Sequence, residues 1–357
     1  MRRRDFLACS SAAVVAAIAG RAIAGENTVA GPASRPAGPR KKLGCQRFGS
    51  DPKRLNYLAR CGVEAICISP AASGPDGVWT AETCAAARKT VEDAGMGVTS
   101  MYWGVPLSAL VPGQREKVID RLRRQIVAAG KGGIPCLAYN LHVRVWKART
   151  HQVPGRAGCM YWAFDDSRAE EQKKPNIGPL TLEEHWARIT WFLEKVVPVA
   201  EEAKVRLACH PNDPPVPDEN PWKIAQCHDT VEKLKKFVSI CQSPYHGLTF
   251  CQGSVCEMLK NPREEIFDVI RWFGQRKKIF QVHFRNIRGG LGNFVETFPD
   301  DGDIDMARAA RVYREVGYDG VLMPDHVPGH PNDVDGLQNW AFAYGYIKGL
   351  IDAAYMD

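Results

Sequence analysis

The segment VRLACHPNDPPVP, residues 205–217, joins a short apolar run to a turn that is crowded with prolines. The apolar run has the composition of a buried β-strand. Three prolines among residues 214–217 prevent a strand or a helix from continuing, because proline lacks the amide donor and fixes φ. His210 is the last residue before the first proline of the turn. The segment therefore predicts a strand that ends in a histidine.

The same unit recurs along the chain, where short apolar runs rich in β-branched residues alternate with amphipathic runs. The predicted strands are 43–49, 63–70, 97–103, 134–141, 205–210, 247–253, 279–286 and 319–326. The predicted helices lie near 51–61, 80–94, 114–129, 181–202, 228–241, 262–275, 303–317 and 335–352. Eight strand-then-helix units in roughly 310 residues predict an α/β fold, a single-domain (β/α)8 TIM barrel.

An open doubly wound sheet is the alternative fold. No GxGxxG or Walker motif follows the first predicted strand, so the sequence does not favour a nucleotide-binding sheet. One connection, about 142–180, is much longer than the others, polar and rich in aromatic residues. We expect it to form an active-site loop or lid. The acidic run DDGDIDM (300–306) more simply begins the seventh helix, with Asp301 or Asp303 as its cap.

The N-terminal 42 residues differ in composition from the rest. Residues 1–24 combine three consecutive arginines, a short apolar run and small residues, a pattern typical of a twin-arginine signal peptide. Residues 25–42 are predicted to be a flexible linker, and 43–357 to be the catalytic barrel. We expect export to the periplasm, or a cytoplasmic location if the signal is not used. A disordered basic tail is the alternative for residues 1–24, and the apolar run is shorter than the ~20 residues of a membrane span.

The net charge of +7 lies almost entirely in that N-terminal segment. The remaining body is close to neutral, which excludes the basic stripe expected of a nucleic-acid-binding protein. The twelve cysteines include no CxxC pair, so buried free thiols are expected rather than a disulfide framework. We expect a small-molecule partner, no nucleic acid and no membrane after signal removal. A homo-oligomer is compatible with the sequence.

Four consecutive predicted strands end in residues that bind metals: His210, Cys251, His283 and Asp325. Each residue alone has a simpler explanation, such as a hydrogen-bonded histidine, a buried thiol or a turn cap. In a TIM barrel, however, the carboxyl ends of the strands meet at one face, where the chemistry is done. Imidazole, thiolate and carboxylate are all ligands of first-row transition metals. The four strand ends together predict a metal site.

Several longer segments resemble the mannonate dehydratases of hexuronate breakdown. They are VWTAE, AYNLHVRVWKART, CHPNDPPVP, GLTFCQGS, VHFRNIR, FVETFPDDGDIDM and PDH, in this order between about 44 and 350. The resemblance implies a xylose-isomerase-like TIM barrel with Mn²⁺ or Fe²⁺ held by the residues that match His210, Cys251, His283 and Asp325. It also implies the reaction, which converts D-mannonate or a related aldonate, a sugar acid, to 2-keto-3-deoxy-D-gluconate and water.

Such a dehydration removes the C2 proton and the C3 hydroxyl, so it needs an acid and a base. His326, next to Asp325 and titrating near neutrality, is the predicted catalytic acid or base. Arg285 is predicted to assist by orienting the substrate, with a salt bridge at the barrel rim as the alternative. The remaining predicted substrate contacts are Asn140, Trp146, Asn286 and Trp79, and simple packing is the alternative for Trp79.

Three positions depart from the family pattern. Met323 stands where an arginine is usual, Val327 replaces a glycine, and Val145 replaces an aspartate. The predicted metal ligands are intact, whereas the changes fall in the substrate-binding surroundings. Two alternatives therefore stay open: a metal-dependent sugar isomerase or epimerase, and a non-catalytic sugar-binding barrel.

Overall fold

The structure is a computed structural model that describes residues 41–46, 51–74, 76–171, 177–215 and 220–356. The predicted signal peptide and nearly all of the predicted linker lie outside the described residues. One compact unit spans Pro39–Asp357. The first strand begins at Lys42, one residue before the predicted start of the barrel.

The described residues form twelve strands, numbered in chain order. They are β1 Lys42–Gln46, β2 Ala65–Ile68, β3 Gly97–Tyr102, β4 Cys136–Asn140, β5 His151–Pro154, β6 Met160–Asp165, β7 Arg206–His210, β8 His246–Cys251, β9 Ile279–His283, β10 Ile287–Gly290, β11 Asn293–Glu296 and β12 Val321–Met323. Eight of them close into a barrel in the order β1-β12-β9-β8-β7-β4-β3-β2, and every neighbouring pair is parallel. The predicted TIM barrel is confirmed, with all eight predicted strands in it.

Nine α-helices are present among the described residues. They are α1 Pro52–Arg60, α2 Ala81–Glu92, α3 Arg115–Lys131, α4 Leu182–Ala203, α5 Val231–Ser239, α6 Gln252–Cys256, α7 Pro262–Gln275, α8 Met306–Glu315 and α9 Leu337–Ala353. Eight of them match the predicted helices. Local sequence sets their starts: in α4, for example, Thr181 and Glu184 form a reciprocal capping box. Asp305 caps α8, so the expected cap at Asp301 or Asp303 is wrong.

A second, four-stranded antiparallel sheet was not predicted. Its order is β10-β11-β6-β5, so it joins two hairpins that follow barrel strands β4 and β9. The segment 142–180, expected to be a loop or lid, therefore contributes two paired strands. Since both hairpins leave the carboxyl ends of barrel strands, this sheet lies at the catalytic end of the barrel.

One large apolar cluster forms most of the core, and strands β8, β9 and β12 are buried along their whole length. All eleven cysteines of the described residues are free thiols, and nine of them are buried. Within the described ranges, no helix combines the length and the apolar character that crossing a bilayer requires.

Candidate active site

The four predicted metal ligands meet at the carboxyl end of the barrel. One potential ligand atom each from His210, Cys251 and His283 lies within 4.8 Å of the other two. Asp325 joins this group, because its Oδ2 is 3.6 Å from Cys251 Sγ and 3.7 Å from His283 Nδ1. The four side chains come together because β7, β8, β9 and β12 are consecutive in the barrel. The structure thus gathers the predicted set at one point.

The spacing and chemistry of this set fit a divalent transition metal. Ligand atoms bound to one ion at about 2.0–2.3 Å stand roughly 3–4 Å from one another. The two measured separations at Asp325 lie in that range. Two imidazoles, a thiol and a carboxylate suit manganese, iron or zinc better than magnesium or calcium, which prefer oxygen ligands throughout.

Asp325 is ionised in this surrounding. Burial disfavours its charge, but His326, His283 and Arg285 lie close enough to hold the pKa of the carboxyl well below its usual value. The side-chain amide of Gln46 on β1 donates a hydrogen bond to Oδ1. Oδ1 is therefore fixed by the barrel, while Oδ2 faces Cys251 and His283.

A cavity of about 100 Å³ opens beside the four ligands. Its wall includes the ends of several barrel strands and the segment that follows β4. The polar side chains around it, beyond the ligands themselves, include Gln46, Tyr102, Asn140, His142, Arg144 and Thr249. A cavity with convergent polar groups at the carboxyl ends of barrel strands is the expected place for a small polar substrate.

His142 contributes a neutral imidazole to this wall. Burial, together with the neighbouring His210 and Arg144, lowers its pKa to about 3. Its Nε2 lies 3.1 Å from the backbone oxygen of His210. The ring therefore adds no charge at neutral pH and supports the strand end that presents His210.

His326 lies on the cavity wall next to Asp325, and its side chain is 39 % exposed. Its Nδ1 contacts the carboxylate of Glu296, and its Nε2 is 3.4 Å from Asp325 Oδ1. Partial removal from water disfavours the charged ring, but the carboxylates of Asp325 and Glu296 raise the pKa of His326 to about 9. When the ring is neutral, we assign its one proton to Nδ1. The carboxylate of Glu296 contacts this nitrogen and can only accept a hydrogen bond from it. Nε2 is then the atom that can exchange a proton at the cavity.

Arg285 lies behind the site rather than at its rim. It is fully buried and contacts three carboxylates, at 3.1 Å to Asp213 Oδ2, at 2.8 Å to Glu257 Oε1, and directly to Glu296. Its Nε is 3.6 Å from Asp325 Oδ2. This position does not match the predicted substrate contact, whereas the ion pairs agree with the salt bridge named as the alternative, here buried rather than exposed at the rim. The geometry makes Arg285 a positioning residue.

A second guanidinium, Arg149, completes this buried cluster. It lies 2.7 Å from Asp213 Oδ1 and contacts Glu296, while its Nη2 is 3.7 Å from Glu257 Oε1. Arg149 and Arg285 hold the pKa values of Asp213 and Glu296 below the usual range, although burial opposes this. Glu257 differs: burial and the charge of Asp213 raise its pKa to about 8. At neutral pH the cluster therefore pairs two guanidiniums with two carboxylates and one protonated carboxyl group.

The sequence reasoning singled out none of Arg149, Asp213, Glu257 and Glu296. Three of them lie in segments that carry the family resemblance: Asp213 in CHPNDPPVP, Arg149 in AYNLHVRVWKART and Glu296 in FVETFPDDGDIDM. Charged residues inside those segments were the available sign. Which of them pair with one another was not visible, because the partners are 64 and 147 residues apart in sequence.

The predicted substrate contacts divide into two groups. Asn140 ends β4 and lines the cavity, as expected. Trp146 does not line it. It is half-buried and borders a small adjoining pocket together with His142 and Asp213.

Asn286 and Trp79 lie away from the cavity. The Asn286 amide donates to the backbone oxygens of Pro299 and Ile304 and so holds the loop before α8. The Trp79 indole is 3 % exposed and donates at 2.8 Å to the backbone oxygen of Gln125. These positions do not agree with the substrate contact predicted for either residue, and Trp79 occupies the packing role named as its alternative.

The three departures from the family pattern are all accommodated by packing. Met323 is fully buried in the barrel interior, against the bare face of Gly44, where an added Cβ would lie 2.4 Å from Met323 Cγ. Val145 is fully buried in the main core, and Val327 packs against the cluster of Cys159, Tyr161 and Phe298. None of the three side chains lines the cavity in the part of the chain that the structure describes.

Comparison with known proteins agrees with this geometry. Residues 176–357, about half of the chain, match the family model described as D-mannonate dehydratase (UxuA). A mannonate dehydratase from Thermotoga maritima is 34% identical over 323 residues, which cover 77% of this chain and 86% of the relative. The crystal structure of mannonate dehydratase from Streptococcus suis serotype2 superposes with a TM-score of 0.77 at 26% identity, covering 89% of this chain and 94% of that one.

The fold is shared more widely. A xylose isomerase domain protein from Planctomyces limnophilus superposes with a TM-score of 0.57 at 14% identity, covering 88% of this chain and 98% of that one. This confirms the xylose-isomerase-like barrel and, at such low identity, only the fold. The matched family model and the Thermotoga relative decide the family: the chain belongs to the mannonate dehydratases, which are hydro-lyases.

Proposed function

We propose that this protein is a metal-dependent dehydratase that converts D-mannonate, or a closely related aldonate, to 2-keto-3-deoxy-D-gluconate and water. The observation that carries the proposal is the meeting of His210, Cys251, His283 and Asp325 beside a cavity whose wall also holds His326. The relatives named above are mannonate dehydratases, which supports the choice of substrate.

His210, Cys251, His283 and Asp325 would hold the metal, Mn²⁺ or Fe²⁺. When bound, such an ion would act as a Lewis acid on the substrate carboxylate and the adjacent hydroxyl, which acidifies the C2 proton. The protein prepares the site by keeping Asp325 ionised and by fixing its Oδ1 through Gln46.

His326 is the proposed acid/base residue. Glu296 holds its Nδ1, which leaves Nε2 to exchange a proton with the substrate next to Asp325. An imidazole oriented by a carboxylate is a common arrangement for general acid–base catalysis, because the carboxylate fixes the tautomer and stabilises the imidazolium. Arg285 and Arg149 contribute by fixing Glu296 in place. Asn140 is positioned to contact a substrate hydroxyl.

The reaction is tested on the purified protein, loaded separately with Mn²⁺ and with Fe²⁺. Each preparation is incubated with D-mannonate, D-gluconate and other aldonates, and the 2-keto-3-deoxy product is assayed. Formation of this product from D-mannonate supports the proposal. Interconversion of a sugar without loss of water would identify an isomerase or epimerase instead. Metal binding without turnover of any aldonate would identify a binding protein.

We also propose that residues 1–24 direct export through a twin-arginine route. The support is the sequence pattern alone, since these residues lie outside the described ranges. Fractionation of cells that express the full chain, compared with a variant in which Arg3 and Arg4 are replaced by lysine, tests this. Periplasmic protein in the first strain and its loss in the second are expected, and a cytoplasmic protein in both would refute export.

A further inference from the structure

Arg144 is the arginine among the described residues that line the cavity. It lies four residues after the end of β4, is exposed, and lines the cavity together with Asn140 and His142. Its position differs from those of Arg149 and Arg285, which are buried behind the site.

The charges of those two buried arginines are already compensated. Arg149 and Arg285 share the carboxylates of Asp213 and Glu296, and both also approach Glu257. Arg144, in contrast, makes no ion pair within 4.0 Å with any carboxylate in the ranges that the structure covers. Its positive charge is therefore available to a ligand.

Among the described residues that line the cavity, His326 is the other group with a positive charge, and the carboxylate of Glu296 already contacts its ring. Gln46, Tyr102, Asn140, Thr249 and Gln281 are uncharged there. The carboxylates at the cavity, Asp213 and Asp325, already have cationic partners. A guanidinium with free donors in a partly enclosed cavity matches a planar carboxylate, to which it can donate two parallel hydrogen bonds.

We propose that Arg144 binds the C1 carboxylate of the substrate and makes the site selective for sugar acids over neutral sugars. This inference rests on the proposed function, because it assumes that a sugar acid occupies the cavity. An ionised carboxylate has about four lone-pair sites, so both of its oxygens can accept from Arg144 while one of them also faces the predicted ligand cluster. The C1 carboxylate keeps its charge during the reaction, so Arg144 binds it equally strongly in the ground state and in the transition state.

The test compares wild-type protein with Arg144→Gln and Arg144→Lys. Loss of a charge-assisted, bidentate contact is expected to raise KM for D-mannonate by about 10- to 100-fold. It should leave kcat within about threefold, because uniform binding affects KM alone. Lysine keeps the charge without the fork geometry, so Arg144→Lys should recover only part of the loss. Arg123→Gln, an exposed arginine on α3, is the matched control and should leave both constants unchanged.

A binding measurement separates this inference from the proposed reaction. Calorimetry with D-mannonate and with its neutral amide is expected to show that the wild type prefers the acid and that Arg144→Gln loses this preference. Metal content should be equal in all variants. If the wild type binds D-mannonate through Arg144 but forms no keto-deoxy product, the reaction is wrong and the carboxylate contact is right. Unchanged Kd, KM and preference for the acid in Arg144→Gln would overturn the inference.

Discussion

Replacing Glu257 with glutamine is expected to stabilise this protein at neutral pH. Glu257 is fully buried, and its Oε2 has no hydrogen-bond partner among the described residues. Its Oε1 accepts a hydrogen bond from Arg285 at 2.8 Å. Because the carboxylates of Asp213 and Glu296 already compensate Arg149 and Arg285, a third negative charge is surplus in this buried space. A glutamine has the shape of the protonated carboxyl group and lacks its acidity.

The size and sign of the effect follow from the two pKa values of Glu257. In the unfolded chain the carboxyl group loses its proton near the usual 4.5, whereas burial and Asp213 raise its pKa to about 8 in the folded protein. An acid whose pKa rises on folding destabilises the folded state progressively as pH increases from the lower value to the higher one. At about 1.4 kcal/mol per pH unit, the cost is about 3 kcal/mol at pH 7 and about 1 kcal/mol at pH 5.

Urea unfolding of wild type and Glu257→Gln at pH 5 and pH 7, both with chelator present, measures this. The variant should gain about 3 kcal/mol at pH 7, and the gain should shrink to about 1 kcal/mol at pH 5. Glu315→Gln is the control, because Glu315 is exposed, pairs with Arg271, and has a lowered pKa. This control should change stability little at either pH. A Glu257→Gln variant less stable than wild type at pH 7 would show that Glu257 is ionised and needed by the arginines, which refutes the charge balance.

Three further substitutions test the site. His326→Gln should abolish dehydration while metal content, measured by elemental analysis, stays at the wild-type level; full turnover would exclude the acid/base role. Cys251→Ala removes one of four predicted ligands and should weaken metal affinity by at least about 100-fold, measured by competition with a chelator. Unchanged affinity would show that the thiol only packs in the core. Arg149→Met removes one of the cations that pair with Asp213 and Glu296. The free energy of unfolding, measured with urea at pH 7, should fall by about 3–5 kcal/mol. A fall below about 1 kcal/mol would contradict the buried pairing.

The barrel was predictable because its strands are buried on both faces. Such strands appear as continuous apolar runs, and local breakers such as the prolines after His210 mark their ends. Once the eight runs are placed in order, the topology puts the carboxyl ends of β7, β8, β9 and β12 side by side. This is why the four candidate metal ligands could be predicted from the residues that end four consecutive strands.

The second sheet was not predictable in the same way. Its strands β6 and β11 pair although Phe164 and Phe294, which lie opposite each other, are 130 residues apart in the chain. The strands have mixed polarity and are short, so no local pattern separates them from loops. Pairing between distant segments depends on the barrel that brings their ends together.

The roles of individual polar residues also depended on tertiary contacts. Asn286 lies three residues after His283, the last residue of β9. Its side-chain amide is nevertheless hydrogen-bonded to backbone groups of the loop before α8. Arg285 is one residue closer and points into the carboxylate cluster. Sequence position identified the right neighbourhood for both residues, but the hydrogen-bond partners that decide their roles come from elsewhere in the chain.

The second sheet supplies a residue that the buried charge cluster requires. Arg285 passes directly over Gly253, where an added Cβ would lie 2.1 Å from the guanidinium Nε, so the glycine after Cys251–Gln252 is required for this arginine to reach the site. Arg285 then needs a carboxylate on its other side, because a buried guanidinium without full compensation is costly. Glu296 at the end of β11 supplies it and holds His326 as well. The second sheet therefore contributes to the active site directly, since without β11 Arg285 would lose one of its carboxylate partners and His326 would lose the carboxylate at its Nδ1.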